Sequence, residues 1–173
     1  QRGYYAVNLS GAIINDKSLT EFLTNLLTRY QLPAGLLCFE ITETSAISNL
    51  AAAAELMRAL KALGCRFALD DFGTGMSSFA YLKHLPVDVL KIAGVFVKDM
   101  ATDPMDHALI DAINKIAHIL GMQTVAEEVE DAQTLAKLTE LKIDAVQGYF
   151  IGAPEELPIA AVPPAELKSA ARR

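Results

Sequence analysis

Arg66-Phe-Ala-Leu-Asp-Asp-Phe-Gly-Thr-Gly75 is a short apolar run that stops on two neighbouring carboxylates, with two glycines after them to turn the backbone tightly. Like charges side by side raise one carboxyl pKa unless a cation lies between them, so Asp70 and Asp71 invite a divalent metal. The plainer reading is an acidic turn capping a helix that starts near Ser77. The glycines are not a dinucleotide fingerprint, because the G-x-G-x-x-G spacing fails at Ser78.

The same design recurs along the chain. Residues 4–9, 36–42, 66–70, 87–92, 123–126 and 145–151 have strand character. Residues 18–30, 47–63, 106–120 and 131–141 carry Leu, Ile, Ala and Phe at three- and four-residue spacing, as one-faced helices do. Asp16 and Ser18 at a helix start, Pro104 in a first turn, and Gly64 and Gly121 just past helix ends punctuate the pattern. Strands alternating with helices call for parallel pairing through crossovers, hence an α/β fold, either an open doubly wound sheet or a barrel. Periodicity alone leaves these two open. What selects the barrel is the polar residue at the C-terminal end of each strand in turn: Asn8, then Glu40 and Glu43, Asp70 and Asp71, Lys91, Glu127 and Gln147. A TIM-type (β/α) barrel gathers its functional loops on that rim, whereas an open sheet concentrates them at one switch point.

Taken singly, most of these residues admit plainer readings. Asn8 suits a turn, Glu43 in Thr42-Glu-Thr-Ser45 suits a helix entry, and Gln147 suits a neighbouring backbone group. Glu128 and Glu130 read as the start of a solvated helix, and His84, His107 and His118 as surface or satisfied core residues. Glu40 resists such a reading, because it lies inside Leu36-Leu-Cys-Phe-Glu-Ile41, where a strand buried on both faces has little use for a carboxylate. Lys91, inside Val87-Asp-Val-Leu-Lys-Ile92, must snorkel, pair with a carboxylate or serve a phosphate. Together the set is rich in oxygen donors, holds one lysine and has no Cys/His cluster. That chemistry selects Mg²⁺ or Mn²⁺ over zinc, and two such ions suit in-line hydrolysis of a phosphodiester.

Composition bounds the rest. A chain of 173 residues with 52% apolar content makes about one domain and excludes disorder. Lys plus Arg number 15 against 21 Asp plus Glu, a net charge of −6 with no basic run, which argues against a broad grip on DNA, RNA or anionic lipid. Cys38 and Cys65 sit in apolar runs and read as reduced core residues. No stretch approaches the ~18 uninterrupted apolar residues of a transmembrane segment, so the chain reads as soluble and cytoplasmic. It opens at Gln1, directly before a strand pattern, and reads as a piece of something longer. Residues 154–173, with their added prolines, read as a covering tail of the same domain.

In order, Val7-Asn-Leu-Ser10, Phe39-Glu-Ile-Thr-Glu43, Ala68-Leu-Asp-Asp-Phe-Gly-Thr-Gly75, Leu85-Pro-Val-Asp-Val-Leu-Lys-Ile92, Thr124-Val-Ala-Glu127 and Gln147-Gly-Tyr-Phe150 resemble the EAL-domain family, bacterial phosphodiesterases of cyclic di-GMP. The resemblance runs through nearly the whole chain, 1–173, and implies an incomplete TIM-type barrel with about six of eight strands. It further implies that Asn8, Glu40 and Asp70 bind one Mg²⁺ or Mn²⁺ and that Asp70, Asp71 and Glu127 bind a second. The resemblance also assigns Glu127 as the general base, a role that a metal-bound hydroxide would make partly redundant, so both stay open. Lys91 would hold the attacking water or a phosphate oxygen, Glu43 would fix the loop after Asp71, and Gln147 would support the site; Asn8, Lys91 and Gln147 would contact substrate. The product would be linear diguanylate. Implied partners are cyclic di-GMP, GGDEF, PAS or other sensory domains in a parent chain that can be membrane-tethered, and a second copy in a homodimer. Three departures stand out: the Glu-Ala-Leu motif is missing, Ala93 replaces an Asp, and Glu128 replaces a Gly. Ala93 supports the alternative, a catalytically impaired domain that serves as a cyclic di-GMP receptor.

Overall fold

The structure, a computed structural model, describes residues 3–75 and 79–155; from residue 156 on, the expected tail lies outside the described residues. Six strands, β1 (Tyr5–Asn8), β2 (Leu37–Thr42), β3 (Arg66–Phe72), β4 (Val89–Ile92), β5 (Gln123–Ala126) and β6 (Ala145–Val146), form one sheet in chain order. All pairings are parallel. Because each strand neighbours the next in sequence, with no reversal of order, the sheet is the wall of a barrel, curled into a half-barrel, as the rim residues predicted.

The helices are α1 (Lys17–Tyr30), α2 (Glu43–Ser48), α3 (Leu50–Ala62), α4 (Gly94–Val97), α5 (Pro104–Ile119) and α6 (Ala132–Glu140). Side-chain oxygens of Asp16, Asp103 and Asp131 accept from backbone N–H groups of the first turns of α1, α5 and α6. Gly64 and Gly121, at φ +88° and +78°, follow α3 and α5, where a left-handed residue is needed to end the helix. The helical pattern expected over 47–63 is two helices: Asn49 accepts from the Ala52 N–H, capping α3, and the chain breaks there. Glu43 therefore opens a helix of its own.

Side-chain alternation along the strands divides the molecule. Phe39, Ile41, Phe67, Leu69, Leu90 and Ile92 point outward into the main core with Met57, Leu60, Ile110 and Ile113 from the helices. The inward positions form tiers. Cys38, Ala68, Val89 and Val125, one from each of β2 to β5, make a small apolar layer of their own. Toward the N-terminal ends, Arg66 Nη2 donates to Gln123 Oε1 at 2.7 Å and lies over the Tyr4 ring. Toward the C-terminal ends, two residues further along each strand, stand Glu40, Asp70, Lys91 and Glu127. Both cysteines are free and buried, and burial pushes the Cys38 thiol up to about 11.

The strand expected over 145–151 shrinks to Ala145–Val146. After Gln147 the chain turns back, with Phe150 N–H donating to Val129 O at 3.1 Å and Tyr149, Phe150 and Ile151 exposed. The cause is a close approach: a Cβ on Gly148 would lie 2.2 Å from both the Val129 N and O.

Candidate active site

Lys91 is the hub. Its Nζ lies 2.7 Å from Asp70 Oδ1, 2.8 Å from Glu127 Oε1 and 3.0 Å from Glu40 Oε2, so groups from β2, β3, β4 and the end of β5 meet at one atom. On a flat sheet Glu40 and Glu127 would stand three strand spacings, about 14 Å, apart, with side chains rising in parallel. A concave sheet lets them converge. Burial works against the charged ammonium, but Asp70, Glu127 and Glu40 outweigh it and hold the Lys91 pKa well above its ordinary value. Burial raises the Glu127 carboxyl; Lys91 pulls it down, Asp70 and Asp71 push it up, and the balance leaves it above the ordinary range.

Adjacent residues of a regular strand face opposite sides, which would separate Asp70 from Asp71. The β3–β4 register shifts between Leu69 and Phe72, and Asp71 takes φ +54°, so a bulge re-aims the strand end. Both carboxylates then act on Glu127. Asp70 Oδ1 is buried and makes no hydrogen bond, although the Lys91 ammonium is nearby.

Glu43 combines both readings. It is the first residue of α2 and fully buried, and its Oε2 accepts from Gly73 N–H at 2.9 Å and Gly75 N–H at 3.3 Å. Tyr81, which the sequence did not single out, donates its hydroxyl to Glu43 Oε1 at 2.7 Å. Asn8 and Gln147 occupy the two ends of the row. Asn8 is in register with Glu40 but exposed, and Gln147 is exposed on the wall of a cavity of about 640 Å³ shared with Glu127. Glu128 and Glu130 are not helical, since α6 begins only after Asp131; instead Lys98 lies 2.6 Å from Glu128 and 3.9 Å from Glu130. Glu128 holds φ +54° and lies across Gly94, where an added Cβ would meet its Cβ, Cγ and Cδ. Of the histidines, His118 pairs with Asp144 at 2.8 Å.

Residues 1–154 match the model of the EAL domain. The chain belongs to the EAL domain family. It is 41% identical over 152 residues to the cyclic di-GMP phosphodiesterase PdeB of Shewanella oneidensis, covering 88% of this chain and 18% of that protein. Among solved structures, the FimX EAL domain of Pseudomonas aeruginosa bound to c-di-GMP superposes with a TM-score of 0.84 at 32% identity, covering 88% of this chain and 62% of the other. The c-di-GMP complex of the PaMucR phosphodiesterase gives 0.82 at 35%, covering 95% and 64%. The chain thus spans about a fifth of the curated relative and under two thirds of either solved chain.

The donors of this EAL domain fit a hard divalent cation. They are oxygens only, the bulge brings two successive carboxylates to one mouth, and Asp70 Oδ1 is a buried oxygen without a hydrogen bond. Among the described residues, no group of three His, Cys, Asp or Glu side chains is arranged to hold a metal ion. No helix among those residues is long and apolar enough to cross a membrane.

Proposed function

We propose that the chain hydrolyses cyclic di-GMP to linear diguanylate. The observation that carries the reading is the convergence of Glu40, Asp70 and Glu127 on Lys91 at the C-terminal mouth of the sheet. The names of the relatives and the nucleotide in the matched structures support it. Asn8, Glu40 and Asp70 would hold one Mg²⁺ or Mn²⁺, and Asp70, Asp71 and Glu127 the second. Bound there, the ions would lower the pKa of a water and offset negative charge building on phosphorus. Lys91 would orient that water or a phosphate oxygen. Glu127 would take the water's proton as the oxygen–phosphorus bond forms and one ring ester bond breaks, and the leaving oxygen would gain a proton. Glu43 would keep the loop at Gly73 and Gly75 in place, while Asn8 and Gln147 would meet substrate from the two flanks. A cytoplasmic location, GGDEF, PAS or other sensory domains as partners, and homodimerisation belong to the same proposal.

The test is turnover of cyclic di-GMP with Mg²⁺ or Mn²⁺, followed by chromatography of the nucleotides. Asp70→Asn should lower it at least about 100-fold, since it removes a carboxylate that would serve both proposed ion sites. Undiminished turnover would contradict the assignment.

One observation favours a second reading, a cyclic di-GMP receptor. Ala93, two residues past Lys91, is 2% exposed and puts a methyl group where the family carries a carboxylate. Nucleotide binding that needs no divalent ion, with a large gain of hydrolysis in Ala93→Asp, would establish the receptor.

A further inference from the structure

We infer that Lys91 gates the site's cation: its ammonium and a divalent ion compete for the same oxygens of Glu40, Asp70 and Glu127, so an ion binds only as Lys91 lets go. The inference rests on the metal-dependent reading above and concerns what this chain's own lysine does to that centre.

Three observations carry it. The first is crowding: the three oxygens lie 2.7–3.0 Å from one nitrogen and therefore surround it. A Mg²⁺ ion binds oxygen at about 2.0–2.1 Å and would draw those oxygens closer than the ammonium allows. Two cations among the same carboxylates repel strongly at low dielectric. The second is burial. The Lys91 side chain is 7% exposed, so the acids and not bulk water are the partners of its charge. The third is Asp70 Oδ1, which is close to Nζ yet outside hydrogen-bond geometry. Charge is what ties that oxygen to Lys91, and a divalent ion brings twice the charge to it. A lysine that only oriented substrate would need one such contact; Lys91 makes three. It offsets part of the acids' charge in the absence of an ion and lowers the site's affinity for one.

The experiment uses the full chain with its lysines ¹³C-labelled at Cε, titrated with Mg²⁺, alongside calorimetric Mn²⁺ binding by wild type, Lys91→Met and Lys91→Arg. One lysine resonance, assigned by its loss in the variants, should move in step with Mg²⁺ saturation. Lys91→Met should bind Mn²⁺ at least tenfold more tightly than wild type, and Lys91→Arg, which keeps the charge, should not. A Lys91 resonance that stays fixed while the site fills overturns the inference and leaves the metal centre standing, as does equal or weaker binding by a folded Lys91→Met. If neither wild type nor Lys91→Met binds Mg²⁺ or Mn²⁺, the metal-dependent reading falls and the inference with it. Should Lys91→Met fail to fold, the resonance, assigned with Lys91→Arg, decides alone.

Discussion

Tyr81 shows how much one hydroxyl holds. It donates to Glu43, a fully buried carboxylate that also receives the N–H groups of Gly73 and Gly75 just beyond the Asp70–Asp71 pair. Tyr81→Phe removes one donor from a charge that water does not reach, and should cost about 1–3 kcal/mol, seen as a lower urea midpoint at unchanged m-value. Turnover should fall with it, because the loop next to the acids loosens. The acids themselves were legible in the sequence. A charge inside a buried strand is expensive, so Glu40 and Lys91 announced a purpose, and Asp70 and Glu127 followed from their places at strand ends. Tyr81 was not legible, since its partner lies 38 residues away and no local pattern marks it. Nor was the left-handed backbone of Asp71, because paired acids before Gly73 look the same in an ordinary turn.

At the scale of elements, β6 is the weakest member of the sheet, with two residues paired to β5. Asp144, just before it, supplies the anchor: its Oδ2 accepts from Thr124 N–H at 2.7 Å and lies 2.8 Å from His118 Nε2. Burial pushes the Asp144 carboxyl up, but the hydrogen bonds from His118 and Thr124 outweigh it and leave the pKa below its ordinary 3.8. A carboxylate depressed in this way stabilises the fold above its unfolded pKa, and that contribution is lost as pH falls through the folded one. Denaturation at a series of pH values should show wild type losing stability below about pH 4 more steeply than Asp144→Asn, which is less stable at neutral pH. Several helix ends and most strands of this architecture could be read in advance because Asp16, Pro104 and the helix-ending glycines Gly64 and Gly121 act locally. The end of β6 could not. Tyr149-Phe-Ile151 has the apolar character of a strand, and the turn that packs Gly148 against Val129 leaves no mark in that pattern.

Over the whole molecule, the order of the polar rim residues separated barrel from open sheet correctly, since that order follows from topology and not from any single contact. Among the described residues β1 pairs with β2 alone, and all four of its residues are exposed, Tyr5 by 54% and Val7 by 41%. A strand with an unpaired side and large apolar groups is a template for another chain. The chain should therefore show concentration-dependent association in sedimentation velocity, and Tyr5→Lys with Val7→Lys should reduce it. Equal behaviour of the two proteins would contradict the edge argument. The concavity that brings acids of β2 and β5 to a single nitrogen has a cost of its own. Slight unrolling of the wall would part them before any ladder hydrogen bond broke, so the proposed chemistry should be lost under milder stress than the backbone signal, and a chain native to a backbone probe would already be idle.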